Sequence, residues 1–322
     1  MKSPTAITPS EMQVVGKDKT MGQRRVKQKT FKTALVFWGF VGPLLLGMLI
    51  FIYIPIIWDL VLSFFNARST ITPTQFVGLQ NYVSMLQDAE FTKSLLTIVI
   101  FAVFIVPLTF ACSLGLALLV NSVRFARGFF RSVFFIPIAC SYVAASLVWK
   151  MNIFFGQFYG LVNAARGIFH LMPIDFTSTS PYYWVVLVTV RLWLQLGLYM
   201  ILFIAGLQEI PRELYEAASV DGAKKGWTTF WSITFPLLRN TSVAVLLLTI
   251  IAAFQAFDEF YNIMSGGLRT LAQPPLVYIY QVALGNSDYG RGSAGSMILV
   301  LIIVVVTLIQ GRLVGFGKTN KA

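Results

Sequence analysis

Charge is scarce in this chain: 12% of its 322 residues are charged, and only thirteen are acidic. A soluble domain carries roughly 25% charge, so this composition cannot cover a water-facing surface. Histidine occurs once, at His170, which removes most His-dependent catalytic and metal-binding schemes. The two cysteines, Cys112 and Cys140, lie inside apolar runs and read as small packing residues rather than a disulfide. No paired carboxylates, Ser-His-Asp set or zinc-ligand spacing stands out, so neither a catalytic residue nor a metal site is expected. A phosphate-binding loop is also missing. Gly317-Lys318-Thr319 repeats the last letters of that motif, but Arg312 occupies the place of its first glycine. The chain therefore reads as a non-enzyme.

What the chain has instead is apolar length, with 57% hydrophobic residues. Six runs approach or exceed the roughly 20 helical residues that cross a bilayer. They fall at 34–57, 94–121, 133–155, 182–207, 243–263 and 293–313. Hydrocarbon leaves no partner for unpaired backbone groups, so each run is expected to be a helix. The fold class is all-α, a polytopic membrane protein of six transmembrane helices. Pro43, Pro107 and Pro137 fall within runs and are candidates for kinks. A basic tail, 1–33, precedes the first run; it is too polar for a secretory leader and reads as a flexible cytoplasmic segment. Its cluster of Lys and Arg could also attract anionic membrane lipid.

Orientation follows from the 25 Lys and Arg. With the N-terminus inside, eighteen fall on cytoplasmic segments. Eight are in the tail, and the others are Arg124, Arg127, Arg131, Arg212, Lys224, Lys225, Arg239, Arg312, Lys318 and Lys321. Five fall outside: Arg68, Lys93, Arg166, Arg269 and Arg291. Both termini, including the tail 314–322, and the loop 208–242 are thus placed in the cytoplasm. The net charge of +12 is a topology signal, and nucleic acid is not needed to explain it.

Charges inside the runs are costly and mark functional candidates. They are Lys150, Arg191, Asp258 and Glu259, all in the outer half, with signs that cancel. Asp258 and Glu259 are adjacent and cannot share a helix face, so one is expected to turn inward to Arg191 or Lys150. A structural ion pair and a polar vestibule both fit. Gln195, Tyr199, Gln255 and Asn262 share those helices and could line a path for a polyol, although packing explains any single one better.

The loop 208–242 is the one long polar interruption. Pro211 suits a first helical turn, Glu213 and Glu216 sit near the positive end of the helix dipole, and Gly222 is a natural stop. Ala217 and Ala218 carry almost no bulk, so another backbone can approach. Glu216-Ala217-Ala218, then Asp221-Gly222, then Ile233-Thr234-Phe235-Pro236 resembles the EAA loop of binding-protein-dependent ABC importer permeases. The interval between Gly222 and Ile233 is ten residues, one longer than that family's usual pattern. The wording around Asn81-Tyr82, Arg127 to Pro137 and Asp288-Tyr289-Gly290 resembles the carbohydrate-uptake branch, of maltose, trehalose and glycerol-phosphate type. The similarity runs from about residue 34 to 313.

The resemblance implies a type I importer permease of a bacterial or archaeal cytoplasmic membrane, supplying half of a path for a sugar or sugar-derived solute. It implies a second permease subunit of different sequence, two ATPase subunits, and a solute-binding protein or lipoprotein outside. ATP and Mg would bind the ATPases, leaving this chain without a cofactor. Glu213, Glu216, Ala217, Ala218, Asp221, Gly222 and Pro236 would then form the ATPase-coupling surface. The competing expectation from the intramembrane charges is an ion-coupled secondary carrier; a membrane scaffold is a third.

Overall fold

The computed structural model describes residues 36–123, 125–157, 159–223, 226–264 and 272–314. The tail 1–33, nearly all of 314–322, and Arg124, Lys224, Lys225 and Arg269 of the charge count lie outside these. The chain divides into two units, Met1–Val61 and Leu62–Ala322. The first holds all but the last residue of α1, Val36–Leu62, a 27-residue apolar helix with a π-helical turn at Leu49–Tyr53. That wider turn lies just ahead of Pro55, which has no N–H to give the carbonyl four residues back.

In the second unit a two-residue antiparallel ladder, β1 (Phe65–Asn66) with β2 (Gln75–Phe76), leads to α2, Gln80–Gln87. Asn81 pins the ladder to α2, its amide donating to the carbonyls of Ser63 (3.0 Å) and Phe65 (2.9 Å). The Tyr82 hydroxyl lies 2.7 Å from that of Ser63. Helix α3, Ala89–Ser122, is 34 residues long and continuous through Pro107. It starts five residues before the expected 94 because Asp88 caps it, accepting from the Glu90 N–H at 2.9 Å, with Glu90 itself in the first turn.

The expected span 133–155, with Pro137 as its candidate kink, is sharply broken. It is two helices, α4 (Arg127–Phe135, tightening to a 3-10 turn at Ile136–Ala139) and α5 (Tyr142–Val148, widening to a π turn at Trp149–Ile153), bent by 96°. Pro137 in the 3-10 turn cannot donate backward, and Cys140 and Ser141 are extended, at ψ 141° and 134°. Among the described residues, five helices are thus long and apolar enough to span, six if the bent pair counts as one.

A short α6 (Leu161–Ile168) precedes α7, Tyr182–Glu209. Gly197 lets α4 lie against α7, since a Cβ there would collide with the Phe134 carbonyl oxygen. After α7 come α8 (Arg212–Val220), α9 (Trp227–Thr229, continued by a π turn at Phe230–Thr234) and α10 (Arg239–Phe254). The fifth span also departs from expectation. It begins at Arg239 and is interrupted at 255–257 before α11, Asp258–Ile263. Helix α12 (Pro275–Tyr280, with a π turn at Gln281–Gly285) and α13 (Tyr289–Val314) complete the described chain.

Two apolar clusters organise this unit. One gathers Phe91, Ile98, Phe101, Leu187, Phe260 and Ile298 from α3, α7, α11 and α13. The other gathers Leu114, Ala117, Tyr199, Phe203, Leu207 and Val245 and carries Tyr215, Phe230 and Phe235 of the 208–242 loop at its edge.

Asp88 also closes a clasp between α3, α12 and α13, accepting from the Tyr278 hydroxyl at 2.6 Å and from Arg291 at 3.1 Å. Burial alone would raise its carboxyl, but the hydrogen bonds from Tyr278, the Glu90 and Phe91 backbone and Arg291 outweigh that and hold it low. A depressed folded value stabilises fully above the ordinary 3.8 and fades as pH falls through the folded value. The melting temperature of the wild type should therefore approach that of Asp88→Asn below pH 3.8. A constant gap on acidification would show that the clasp does not contribute in this way.

Candidate functional site

The 208–242 loop folds as a capped surface helix followed by an interfacial one. Helix α8 starts at Arg212, not at Pro211, which takes the extended capping position (ψ 135°) because its ring cannot continue α7. Its C-terminus closes in a Schellman arrangement. The Ala223 N–H donates to the Ala218 carbonyl at 2.9 Å and the Gly222 N–H to the Ser219 carbonyl at 3.4 Å. That geometry places Gly222 at φ +82°, where a side chain is disfavoured. Gly222 thus stops the helix as its sequence position predicts. Asp221 is the C-cap, and Lys224 and Lys225 lie outside the described residues.

Glu213, Glu216, Ala217, Asp221 and Gly222 are exposed, while Ala218 is half-buried. The buried edge of α8 is carried by Tyr215. Its ring packs on the inner apolar cluster, and its hydroxyl lies 3.1 Å from that of Thr234. Thr234 belongs to the α9 segment, and only Leu238 separates that segment's last helical residues from α10. Pro236 is exposed within those last helical residues, Phe235–Leu237. Helix α8 is therefore tied, through Thr234, to the segment that leads into a spanning helix. The Tyr215–Thr234 pair escaped the sequence reading because its members are 19 residues apart across a turn and share no periodicity. Beside it, an apolar cleft of about 430 Å3 lies between Leu118 of α3 and Trp227 and Phe230 of α9.

The intramembrane charges resolve into one buried pair. Arg191 of α7 donates to Glu259 at 2.9 Å, with side-chain exposures of 6% and 1%. Glu259 is thus the inward member of the adjacent acids, and Asp258 is half-buried beside it. Arg191 also donates to the Ala252 carbonyl and lies 5.2 Å over the Tyr142 ring. The carbonyl contact has a reason. In a continuous helix Ala252 would accept from Ala256, but the Ala256 N–H turns to Ala253 (3.2 Å) at the break. One guanidinium therefore serves the end of α10 and the acid opening α11.

Of the other expected path residues, Gln195 and Tyr199 lie close to Arg191 and Tyr142, while Lys150 and Asn262 are engaged with each other's helices. Lys150 donates to the Asn262 carbonyl at 3.2 Å, and the Asn262 amide donates to the Asp258 carbonyl at 2.7 Å, within its own helix. Tyr199 is 2% exposed in the inner cluster, and Gln255 is exposed at the break. Gln195 hydrogen-bonds Tyr142.

A second polar region lies at the far end of α7 from the 208–242 loop, about 42 Å away at 1.5 Å per helical residue. The buried Asn163 amide donates to the carbonyls of Phe155 and Ile174 (both 2.8 Å) and accepts from the Ile174 N–H at 3.0 Å. Those bonds bring residues 155–157 beside 174–177. Asp175 accepts from Thr177 and Ser178; burial would raise its carboxyl, yet these bonds hold it below the usual value.

Comparison with known proteins agrees with this architecture. The model of the family described as binding-protein-dependent transport system inner membrane component matches residues 34–315. A probable starch degradation products transport permease, AmyD of Thermoanaerobacterium thermosulfurigenes, is 31% identical, covering 88% of this chain and 95% of its own. The trehalose/maltose transport permease MalF of Thermococcus litoralis is 32% identical over 88% and 95%. The sn-glycerol-3-phosphate transport permease UgpA of Agrobacterium fabrum is 32% identical over 88% and 96%. Among solved structures, a bacterial ABC transporter importing the acidic polysaccharide alginate superposes with a TM-score of 0.78 at 20% identity. That match covers 89% of this chain and 97% of the other, and at this identity it speaks for the fold.

Proposed function

Since this chain belongs to the family of inner-membrane components of binding-protein-dependent transport systems, we propose that it passes a sugar or sugar-derived polar solute inward. It is a transmembrane permease subunit, a transport component rather than an enzyme. The names of its relatives, for starch products, trehalose/maltose and glycerol phosphate, support this solute class. In the proposed assembly a second, different permease supplies the other half of the path. Two ATPase subunits hold ATP and Mg beneath, and a solute-binding protein delivers cargo from outside. Both termini and α8 face the cytoplasm.

The observation carrying this reading is α8 itself: a surface helix with exposed Glu213, Glu216 and Ala217, stopped at Gly222 and tied inward through Tyr215–Thr234. Helix α8 rests on an ATPase, with Glu213 and Glu216 making polar contacts and Ala217 and Ala218 permitting close approach. Closure of the nucleotide-loaded ATPase dimer displaces α8, and the Tyr215–Thr234 link passes that displacement to α9 and α10. ATP binding thereby favours one of two bundle states through differential affinity.

Uptake is the test. In proteoliposomes holding the assembled complex, transport of maltotriose or glycerol 3-phosphate should require internal ATP and the binding protein and should persist with an uncoupler. Uptake that collapses with the uncoupler and ignores ATP would overturn the reading.

A further inference from the structure

Resting on the sugar-importer reading, we propose that the cavity at the outer end of α5 is an entry subsite for a neutral polyhydroxylated solute. The cavity measures about 410 Å3 and is lined by Lys150, Phe155, Gln157, Asp175 and Thr177, with Leu147 and Met151 behind. It is distinct from the Arg191–Glu259 pair and from α8.

Its walls are held in place by construction. The three Asn163 hydrogen bonds, made by a side chain fully shielded from solvent, fix the two loop segments against each other. Gly156 lets Asp175 lie over the backbone, since a Cβ at 156 would sit 3.2 Å from the carboxyl carbon. The Phe155 ring stacks on Tyr159 at 4.9 Å and 24°, which forms an aromatic platform at the rim.

The lining chemistry selects the ligand. Asp175 already accepts three bonds from Thr177 and Ser178, and Lys150 already donates to Asn262. Each group is thus oriented by its neighbours and presents a directional hydrogen-bonding position. An acceptor carboxylate, a donor ammonium and the Gln157 amide, which is both, match neighbouring hydroxyls that donate and accept at once. A ring face with its C–H groups fits the Phe155–Tyr159 platform. A strongly anionic solute would meet Asp175, and a cationic one Lys150.

The experiment is saturation-transfer NMR on the assembled membrane complex in nanodiscs, with maltotriose and glycine betaine as probes. Maltotriose is expected to bind, and Asp175→Leu to weaken it roughly tenfold, as loss of a bond to a charged group implies. Gly156→Ala keeps the carboxylate but displaces it, and should give the same loss with subunits still co-purifying. Unchanged maltotriose binding in both variants overturns the subsite, as does binding of betaine in place of maltotriose. ATP-driven uptake of maltotriose by the same wild-type sample separates the two readings. Uptake with no effect of these variants sinks the subsite alone, whereas no uptake sinks the function on which it rests.

Discussion

Ala218→Trp is expected to abolish ATP-driven uptake while the chain still inserts in the membrane. Ala218 is half-buried on α8, three residues after Tyr215 and so on the same face, and an indole there must push α8 off the cluster that seats it and displace the surface proposed for ATPase contact. Gly222→Val should act through the backbone instead. At φ +82° the open space around the glycine gives no clash, and the cost is conformational, about 1–2 kcal/mol. That strain undoes the Schellman closure to Ala218 and Ser219 and frees the last turn. Together with lost contacts, a ~100-fold fall in uptake corresponds to about 2.8 kcal/mol, at 1.4 per tenfold. ATPase co-purification and uptake in proteoliposomes are the measurements. Normal uptake by both variants would remove α8 from the coupling path.

Single removal of either buried charge should be the most destabilising change in the bundle. Arg191→Met leaves Glu259 buried without its partner and the Ala252 carbonyl unserved; Glu259→Leu leaves the guanidinium uncompensated. Breaking such a pair typically costs about 3–5 kcal/mol, whereas replacing both members with apolar groups is often neutral. The double variant Arg191→Met/Glu259→Leu should therefore recover most of the melting temperature that either single change loses. Additive losses in the double variant would mean that the two residues do not act as a pair.

Much of this architecture is legible in the sequence, and the misses have physical causes. Run length and composition locate the spanning helices because hydrocarbon allows little else. Hydropathy cannot see where a helix starts, so Asp88, a polar cap outside the apolar run, moved the second span's origin to Ala89. Nor can it see the bend at Cys140 and Ser141, where two ordinary residues become extended without a glycine to mark the place. In the 208–242 loop, Gly222 was readable because left-handed backbone leaves a residue signature. Tyr215–Thr234 was not, because it depends on how two segments meet. The intramembrane acids illustrate the limit well. Adjacency dictates that one must turn inward, but only the break at 255–257, with its stranded Ala252 carbonyl, decides that Arg191 meets Glu259.

The 96° elbow between Ala139 and Tyr142 bears on biogenesis. Neither arm, Arg127–Ala139 or Tyr142–Ile153, reaches the roughly 20 apolar residues at which a segment partitions into lipid unaided. In its bent form this stretch rests in the bilayer on the helices synthesised before and after it. A ribosome-bound intermediate halted before α7 emerges would leave it accessible to water-soluble thiol reagents at Cys140.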